Sequence, residues 1–333
     1  MGGFGALLVG IGVLTGSASA GPFTAKSSQG AWVADAVARP LVLPKGWLEV
    51  GLSADTKRST QYRGGDGELR AHPDDLAWRY SRLWFELRQG FSDRVTLYGR
   101  VPIVDARLDL AMGSQISSTD VGDARLGVVV QPWLERRVDA GFSVELKTPT
   151  GVEWPEGTGG PGDTHGFLTG TGTTDLAAHL HGRLTVLDRL KLGADLGYVH
   201  KFAAIVGYVE EVGGFGNGVM DPGNEVHLRG SVMGKVVRGV SVSLAGRYRS
   251  MGEAQIGVNG DGERILRPIT PSGGDWFDAE FTLSVEPSTH WLVEGWASRD
   301  LAGGDTRPFA HLGLEDFGPQ PGWTFGSRVA VRW

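Results

Sequence analysis

Apolar and polar residues alternate with a period of two along many short stretches of this chain. In the C-terminal stretch, Phe325, Val329 and Val331 fall on one parity, whereas Arg328 and Arg332 fall on the other. Successive side chains of a strand point to opposite faces, so this pattern predicts a strand with one apolar face. With this stretch, twelve strands are predicted, the others being GWLEVGLSAD, RLWFELR, RVTLYGRVPI, ARLGVVV, DAGFSVELK, DLAAHLHGRLTV, LKLGADLGY, EVHLRGSV, VSVSLAGRYR, FDAEFTLSVE and WLVEGWAS.

The connections between these strands alternate between short and long. The short ones are GFSDR, WLERR, LDR, VVRG and EPSTH, and the long ones are rich in Gly, Asp and Pro, as in TGVEWPEGTGGPGDTHGF. Strand pairs therefore repeat at about 40 to 55 residues. An up-and-down meander places all its tight turns at one end, whereas a soluble sandwich with Greek-key crossings has no such rule.

The two parities also differ in charge. For any single strand, an apolar face packed on the core of a soluble sandwich would explain the alternation. Taken together, however, the polar parity is rich in ionised residues and the apolar parity is free of charge over spans of four or five positions, which is typical of a membrane barrel with a polar interior. Closure of the sheet also pairs every backbone group in hydrocarbon. We predict an all-β fold, a transmembrane up-and-down antiparallel β-barrel of about twelve strands. It would lie in the outer membrane of a Gram-negative bacterium, with short periplasmic turns and long extracellular loops.

The N-terminal region is predicted to precede the barrel. Residues 1–20 are an uncharged apolar run ending in Ala18-x-Ala20, the small-residue pattern of a signal peptide, although no Lys or Arg stands before the run. We expect residues 21–44 to form a periplasmic segment and a candidate plug, and residues 45–333 to form the barrel. Beyond residue 20, no stretch approaches the 18 consecutive apolar residues of a membrane-spanning helix.

Composition excludes several kinds of chemistry. The chain has no cysteine, which excludes disulfides, thiolate zinc sites and a cysteine nucleophile. The formal net charge is −6 and the Lys and Arg residues are scattered, which argues against a nucleic-acid partner. No cofactor is predicted.

Five segments occur in this order along the chain: ARPLVLPKGWLEVG (38–51), GFSDRVTLYGRVPIV (90–104), TDVGDARLGVVVQ (119–131), ELKTPTGV (145–152) and GTGTTDLAAHL (170–180). Together they resemble the family of outer-membrane proteins assigned to the MetA pathway of phenol degradation. The resemblance covers roughly the N-terminal half of the barrel region. It implies a small outer-membrane barrel that passes small apolar or aromatic compounds, and it brings no catalytic residues.

The polar parity supplies candidate selectivity residues, which we expect to line the lumen. They are Arg82, Trp84, Glu86, Arg88, Tyr98, Arg100, Arg125, Glu145, Lys147, Asp175, His179, His181, Arg183, Arg229, Arg247, Asp278, Glu280, Trp296 and Arg328. Both signs of charge are present, so no strong preference for one ion charge is predicted. Membrane lipid would contact the other parity. The C-terminal residues Phe325, Val329, Val331 and Trp333 resemble the signature by which the barrel-assembly machinery recognises outer-membrane proteins.

Metal and catalytic sites are weaker hypotheses. His179 and His181 share a parity and His200 could come near them, but no carboxylate is identifiable as a further ligand, so no metal site is predicted. Ser, His and Asp are available for hydrolysis, but no G-x-S-x-G motif couples a nucleophile to a base. The Gly-Asp pairs of the loops lack the acidic spacing of a calcium loop.

The sequence therefore favours a non-enzymatic channel for passive uptake of small compounds. Twelve strands should leave a narrow passage, because about eight are filled by side chains and about 16 enclose water. Two alternatives remain: an outer-membrane hydrolase, and a structural or surface-interaction barrel without transport activity.

Overall fold

The computed structural model describes residues 41–64, 68–71, 77–109, 115–134, 137–151, 172–209, 215–260, 263–268, 273–304 and 321–333. The predicted signal peptide and residues 21–40 lie outside this part of the chain. The described residues form nineteen strands: β1 (Leu48–Ser59), β2 (Gln61–Arg63), β3 (Leu69–Ala71), β4 (Ala77–Ser92), β5 (Val95–Asp109), β6 (Gln115–Val121), β7 (Ala124–Leu134), β8 (Val138–Thr148), β9 (Asp175–Leu187), β10 (Leu190–Lys201), β11 (Ala204–Val209), β12 (Phe215–Asp221), β13 (Glu225–Val237), β14 (Val240–Met251), β15 (Gln255–Gly260), β16 (Glu263–Pro268), β17 (Gly274–Ser288), β18 (Trp291–Gly303) and β19 (Trp323–Arg332).

Twelve of these strands form one closed antiparallel barrel. Around the ring the order is β1, β4, β5, β7, β8, β9, β10, β13, β14, β17, β18 and β19, and β19 pairs again with β1. Each barrel strand thus pairs with the barrel strands before and after it in the chain. This confirms the predicted up-and-down barrel with twelve strands.

The outward face of the barrel is apolar. In β4, Phe85, Leu87 and Phe91 point outwards and are exposed, whereas Trp84 and Glu86 point inwards. The same alternation recurs around the ring, so ionised side chains collect inside and exposed Leu, Val and Phe side chains outside. An exposed apolar belt on a closed sheet is the surface that a lipid bilayer covers. In the described ranges, no helix has the length and apolar character needed to cross a membrane.

The long connections contain further short strands. Strands β2 and β3 pair with each other, β6 pairs with the end of β5, and β11, β12, β15 and β16 form a separate four-stranded sheet. Most of these segments are expected from the sequence to be loops. Their alternations, such as QIGV and RILRP, are too short to indicate strands alone. The pairs β2–β3, β11–β12 and β15–β16 each form within one connection, and β12 and β15 pair between two consecutive long connections.

The residues just before β1 fold into the barrel at the end that carries the short turns. Leu41, Val42 and Leu43 are buried, with exposed fractions of 9%, 3% and 0%. The Leu43 N–H donates to Thr96 Oγ1 at 2.6 Å, and Arg88 Nη2 donates to the Leu41 carbonyl at 3.0 Å. A short apolar segment therefore occupies the interior of the barrel at the end of the short turns.

Candidate functional site

The interior of the barrel contains a polar cavity of about 550 Å³. Residues of the barrel strands, most of them inward-facing, surround it together with Leu41, and most of these residues are charged or carry a hydroxyl group. The lining consists of Leu41, Glu86, Arg88, Tyr98, Gly99, Arg100, Val129, Ser143, Glu145, His181, Arg183, Arg229, Met233, Ser241, Val242, Ser243, Thr282, Ser284, Glu286, Glu294 and Arg328.

Glu145 of β8 is the centre of one cluster on the cavity wall. Arg100 Nη2 and Arg125 Nη1 each lie 3.0 Å from a Glu145 carboxylate oxygen, and the Tyr98 hydroxyl donates to Glu145 at 2.9 Å. The buried ring of Trp84 lies beside both guanidinium groups, at 5.0 Å from Arg100 and 5.8 Å from Arg125. Aromatic faces attract cations at such distances. The cluster therefore fixes two cations and two aromatic rings in one orientation.

A second cluster is centred on Arg328 of β19. Its Nη2 lies 2.8 Å from Glu49 and 2.8 Å from Glu86, and its Nη1 lies 3.5 Å from Glu294. Glu49 also accepts from Arg332 Nε at 2.9 Å, and both of these side chains are almost completely buried. The cluster joins β1, β4, β18 and β19, so it crosses the seam where the barrel closes.

A third series of charges runs across β10, β13, β14 and β17. Arg229 lies 3.4 Å from Asp195 and 3.2 Å from Glu280. Arg247 in turn lies 3.3 Å from Glu280 and 2.7 Å from Asp278. Acidic and basic groups alternate along this series, so each charge is compensated by a neighbour from another strand.

One part of the cavity wall carries short hydroxyl side chains instead of charges. Ser241 of β14 stands opposite Ser284 of β17, and Ser243 stands opposite Thr282. All four line the cavity. We refer to Ser241, Ser243, Thr282 and Ser284 as the hydroxyl wall. Because these side chains are small, free space of the interior lies against this wall, opposite the longer Arg, Glu and Tyr side chains.

Ser143, His181 and Asp195 form a hydrogen-bonded chain across β8, β9 and β10. The Ser143 hydroxyl lies 3.0 Å from His181 Nε2, and His181 Nδ1 lies 2.8 Å from Asp195 Oδ1. This is the order of groups in a serine hydrolase triad. Ser143 and His181 line the cavity.

The third imidazole beside the predicted pair, His179 and His181, is that of His227 and not that of His200. The His179 ring stacks on His181 with ring centres 6.1 Å apart, and the His227 ring lies 6.2 Å from His179. His200 instead lies on the outward parity of β10, where its ring contacts Phe202. Within the described ranges, no three His, Cys, Asp or Glu side chains are placed to hold a metal ion.

The structure places the predicted lumen residues on inward positions of the barrel strands. Nine of them line the cavity: Glu86, Arg88, Tyr98, Arg100, Glu145, His181, Arg183, Arg229 and Arg328. Others stand beside these, such as Trp84 and Arg125. Lys147 and Asp175 pair with each other at 2.6 Å, where β8 and β9 meet the long connection. Whether any of these residues sets selectivity stays a prediction.

The remaining predicted residues have structural neighbours of their own. Arg82 bonds Asp55 of β1 at 3.0 Å. The Trp296 ring lies against Gly326, where an added Cβ would collide with it. Phe325 and Trp333 of the predicted insertion signature are exposed on the outward face.

Sequence reasoning missed residues that are as central as those it found. Glu49, Asp55 and Arg332 carry the right parity, and the hydroxyl wall does too. Parity is the signal that could have found them, whereas the partners of Glu49 follow only from the pairing of β1 with both β4 and β19.

The comparisons with known proteins support the fold. No protein-family model matches the chain, and no curated protein matches it. Among solved structures, it is similar to an outer membrane channel from Pseudomonas putida F1, with 14% identity, a TM-score of 0.65, and 88% of this chain and 97% of that chain covered.

Two weaker similarities are to other barrels. The Pseudomonas putida toluene transporter TodX has a TM-score of 0.40 at 12% identity, covering 87% of this chain and 89% of that chain. The KdgM porin has a TM-score of 0.37 at 11% identity, covering 84% and 98%. At such scores these two matches carry no argument. The closed ring, its apolar outside and the first match together show that this chain is a twelve-stranded barrel of the outer membrane.

Proposed function

We propose that this barrel is a passive channel for small solutes. The observation that carries the proposal is the polar cavity of about 550 Å³ inside a closed barrel. A barrel of about eight strands is filled by its own side chains, whereas this one keeps space beside the hydroxyl wall. The similar structure from Pseudomonas putida F1 is described as an outer membrane channel. Because the two sequences are only 14% identical, this similarity supports the fold alone. The proposed transport role rests on the cavity.

We further propose that the solutes are small aromatic compounds with a polar group. Tyr98 provides aromatic surface in the cavity, the buried Trp84 ring lies beside Arg100, and the hydroxyl wall provides hydrogen-bonding groups. The resemblance to the phenol-degradation family points to the same class of compound. A wall of paired charges favours a solute that can hydrogen bond over a pure hydrocarbon.

The segment Leu41–Pro44 is proposed to obstruct the periplasmic side of this passage. Leu41 lines the cavity, and Leu43 is completely buried among barrel residues. Solutes that leave the cavity towards the periplasm would have to pass this segment. Movement of the segment would therefore control the rate of transport.

Liposome swelling tests the channel proposal and the solute class together. Vesicles that contain the purified protein should swell fastest with a small hydroxylated aromatic solute, more slowly with sugars, and without strong preference between anions and cations. The variant Thr282→Trp should fill the space at the hydroxyl wall and slow swelling. Leu283→Trp, at the adjacent outward position, is the matched control. No swelling with any solute would favour the structural alternative.

The Ser143–His181–Asp195 chain favours a hydrolase as the second candidate function. His181 is placed to accept the Ser143 proton, and Asp195 is placed to orient the imidazole. The cavity also holds Arg100, Arg183 and Arg229, whose N–H groups could stabilise a developing oxyanion. The substrate would be a small ester that enters the lumen.

A fluorophosphonate probe distinguishes this candidate from the channel. If Ser143 is an activated nucleophile, the wild-type protein is labelled and Ser143→Ala is not, while Ser241→Ala on the hydroxyl wall is labelled normally. An unlabelled wild-type protein would reject the hydrolase and leave the channel proposal unaffected.

A further inference from the structure

Four arginines and a tryptophan lie in one transverse row on the outside of the barrel. The strand register places Arg299 opposite Trp323, Trp323 opposite Arg58, Arg58 opposite Arg79, and Arg79 opposite Arg107. These residues occupy the outward parity of β18, β19, β1, β4 and β5. We call this set the arginine row.

On β1 and β4 the arginine row lies beyond the apolar residues of the outward face, on the side of the long connections. Below Arg58 on the outward face of β1 come Thr56, Ala54, Leu52 and Val50. The same order, from arginine through a hydroxyl residue to large apolar residues, occurs on β4. On β18 the exposed Leu301 lies beyond Arg299. Outward charged residues are tolerated near the membrane interface and are unfavourable at the bilayer midplane, so the order on β1 and β4 puts Arg58 and Arg79 towards the lipid headgroups.

Several positive charges of the row face one another directly. Arg58 and Arg79 are exposed, and among the described residues neither forms an ion pair. Arg107 is partly compensated by Asp105, whose carboxylate lies 3.1 Å away. Like charges on directly opposed strand residues destabilise a sheet. An anion bound between Arg58 and Arg79 would remove this repulsion.

An apolar groove on the same outer surface leads to the row. It has a volume of about 580 Å³ and includes Gly230, Gly246 and Ala279 on three adjacent strands. Larger outward side chains such as Leu244 and Phe281 border it, and Arg299, which stands opposite Ala279, and Trp323 line its side towards the row. The Arg299 guanidinium stands 5.4 Å from the Trp323 ring.

We propose that the arginine row and this groove bind a phosphorylated glycolipid of the outer leaflet. Guanidinium groups bind phosphate through paired hydrogen bonds, and several aligned arginines suit a headgroup with more than one phosphate. The groove accepts one acyl chain of the same molecule. Trp323 occupies the boundary between hydrocarbon and headgroups, where tryptophan is enriched. This site does not depend on the proposed transport function, because it lies on the opposite face of the strands from the lumen.

The test compares charge removal at the two ends of the barrel. Full-length protein in a zwitterionic detergent is titrated with bisphosphorylated lipid A, and bound lipid is counted by native mass spectrometry. The triple variant Arg58→Gln, Arg79→Gln, Arg299→Gln should bind about a hundredfold more weakly, since each arginine near an anionic surface contributes about 1 kcal/mol.

The matched control removes three exposed arginines near the short turns, Arg94→Gln, Arg137→Gln and Arg189→Gln. It should bind lipid A like the wild type, and dephosphorylated lipid A should bind the wild type weakly. Equal affinities of the two triple variants would overturn the proposal. So would undiminished binding of the dephosphorylated lipid.

A groove variant tests the acyl-chain contact separately. Gly230→Phe places a ring into the groove, where a Cβ added at this glycine meets no atom within 4 Å, so the fold should be retained. We expect weaker binding of lipid A although all arginines are present. Unchanged binding by this folded variant would contradict the assignment of the groove.

Discussion

At the scale of single residues, the interior is organised by ion pairs between strands. Glu145 compensates Arg100 and Arg125, and Glu280 compensates Arg229 and Arg247. Each pair is held in a wall where long side chains have few alternative partners. The lumen is therefore highly charged but carries little uncompensated charge, which is consistent with weak discrimination between anions and cations.

Glu145→Gln should make the passage prefer anions. The substitution leaves Arg100 and Arg125 without their shared carboxylate, so the local potential becomes positive. A change of about 1 kcal/mol in the relative barriers corresponds to about a fivefold change in the permeability ratio. Reversal potentials across planar bilayers with a salt gradient measure this ratio. Asp188→Asn, in the exposed turn between β9 and β10, removes one negative charge outside the lumen and should leave the ratio unchanged.

The sequence predicts the direction of these side chains but not their partners. Parity alone indicates that Arg100, Glu145 and His181 face inwards, because each lies in a clear alternation. Which residue meets which depends on the stagger between strands. His181 contacts Asp195 directly across β9 and β10, but reaches Ser143 diagonally. Such a diagonal contact cannot be derived before the register is known.

At the scale of strands, the closing seam is held by a buried cluster. Strand β19 pairs with β1 over ten residue positions, and Glu49 accepts hydrogen bonds from Arg328 and Arg332 across this seam and from Arg88 of β4. Glu49 and Arg332 are almost inaccessible to solvent. A buried charge that loses its partner is strongly unfavourable.

Glu49→Gln should therefore destabilise the barrel. We expect the free energy of unfolding to fall by about 3 kcal/mol, because the buried Arg332 guanidinium loses its nearest carboxylate. Denaturant unfolding of the reconstituted protein measures the change. Glu253→Gln, at an exposed position, is the control and should have no effect. A stability equal to that of the wild type would show that the cluster does not hold the seam.

The segment before β1 gives a prediction at the same scale. Removal of residues 21–44 from the mature chain should increase single-channel conductance, since the buried Leu41, Val42 and Leu43 would leave the periplasmic side of the interior. As a control for folding, the truncated protein must still show the heat-dependent gel shift of a folded barrel. Unchanged conductance in a folded variant would mean that the segment does not obstruct the passage.

The strands themselves were the most predictable feature of this molecule. All twelve barrel strands coincide with stretches of alternation in the sequence, because one face must meet lipid and the other must not. The short strands of the long connections were not predictable, since their pairing depends on where the barrel holds the loop ends. The buried residues Leu41–Leu43 belong to the segment predicted as a candidate plug, but three adjacent apolar residues do not indicate where in the barrel they pack.

At the scale of the whole molecule, a closed barrel separates two environments. The outward face carries an apolar belt bordered by the arginine row, and the inward face carries paired charges and the hydroxyl wall. Transport depends on this difference between the two faces, because only a hydrated interior can pass solutes.

Modification of single introduced cysteines tests the central claim most directly, because the natural chain contains none. Ser243→Cys lies on the hydroxyl wall, and Leu244→Cys is its outward neighbour. A membrane-impermeant charged thiol reagent, added during planar-bilayer recording, should reduce the conductance of Ser243→Cys and leave that of Leu244→Cys unchanged. A conductance change at Leu244→Cys only, or at neither position, would contradict the proposal that solutes pass along the inward face of this barrel.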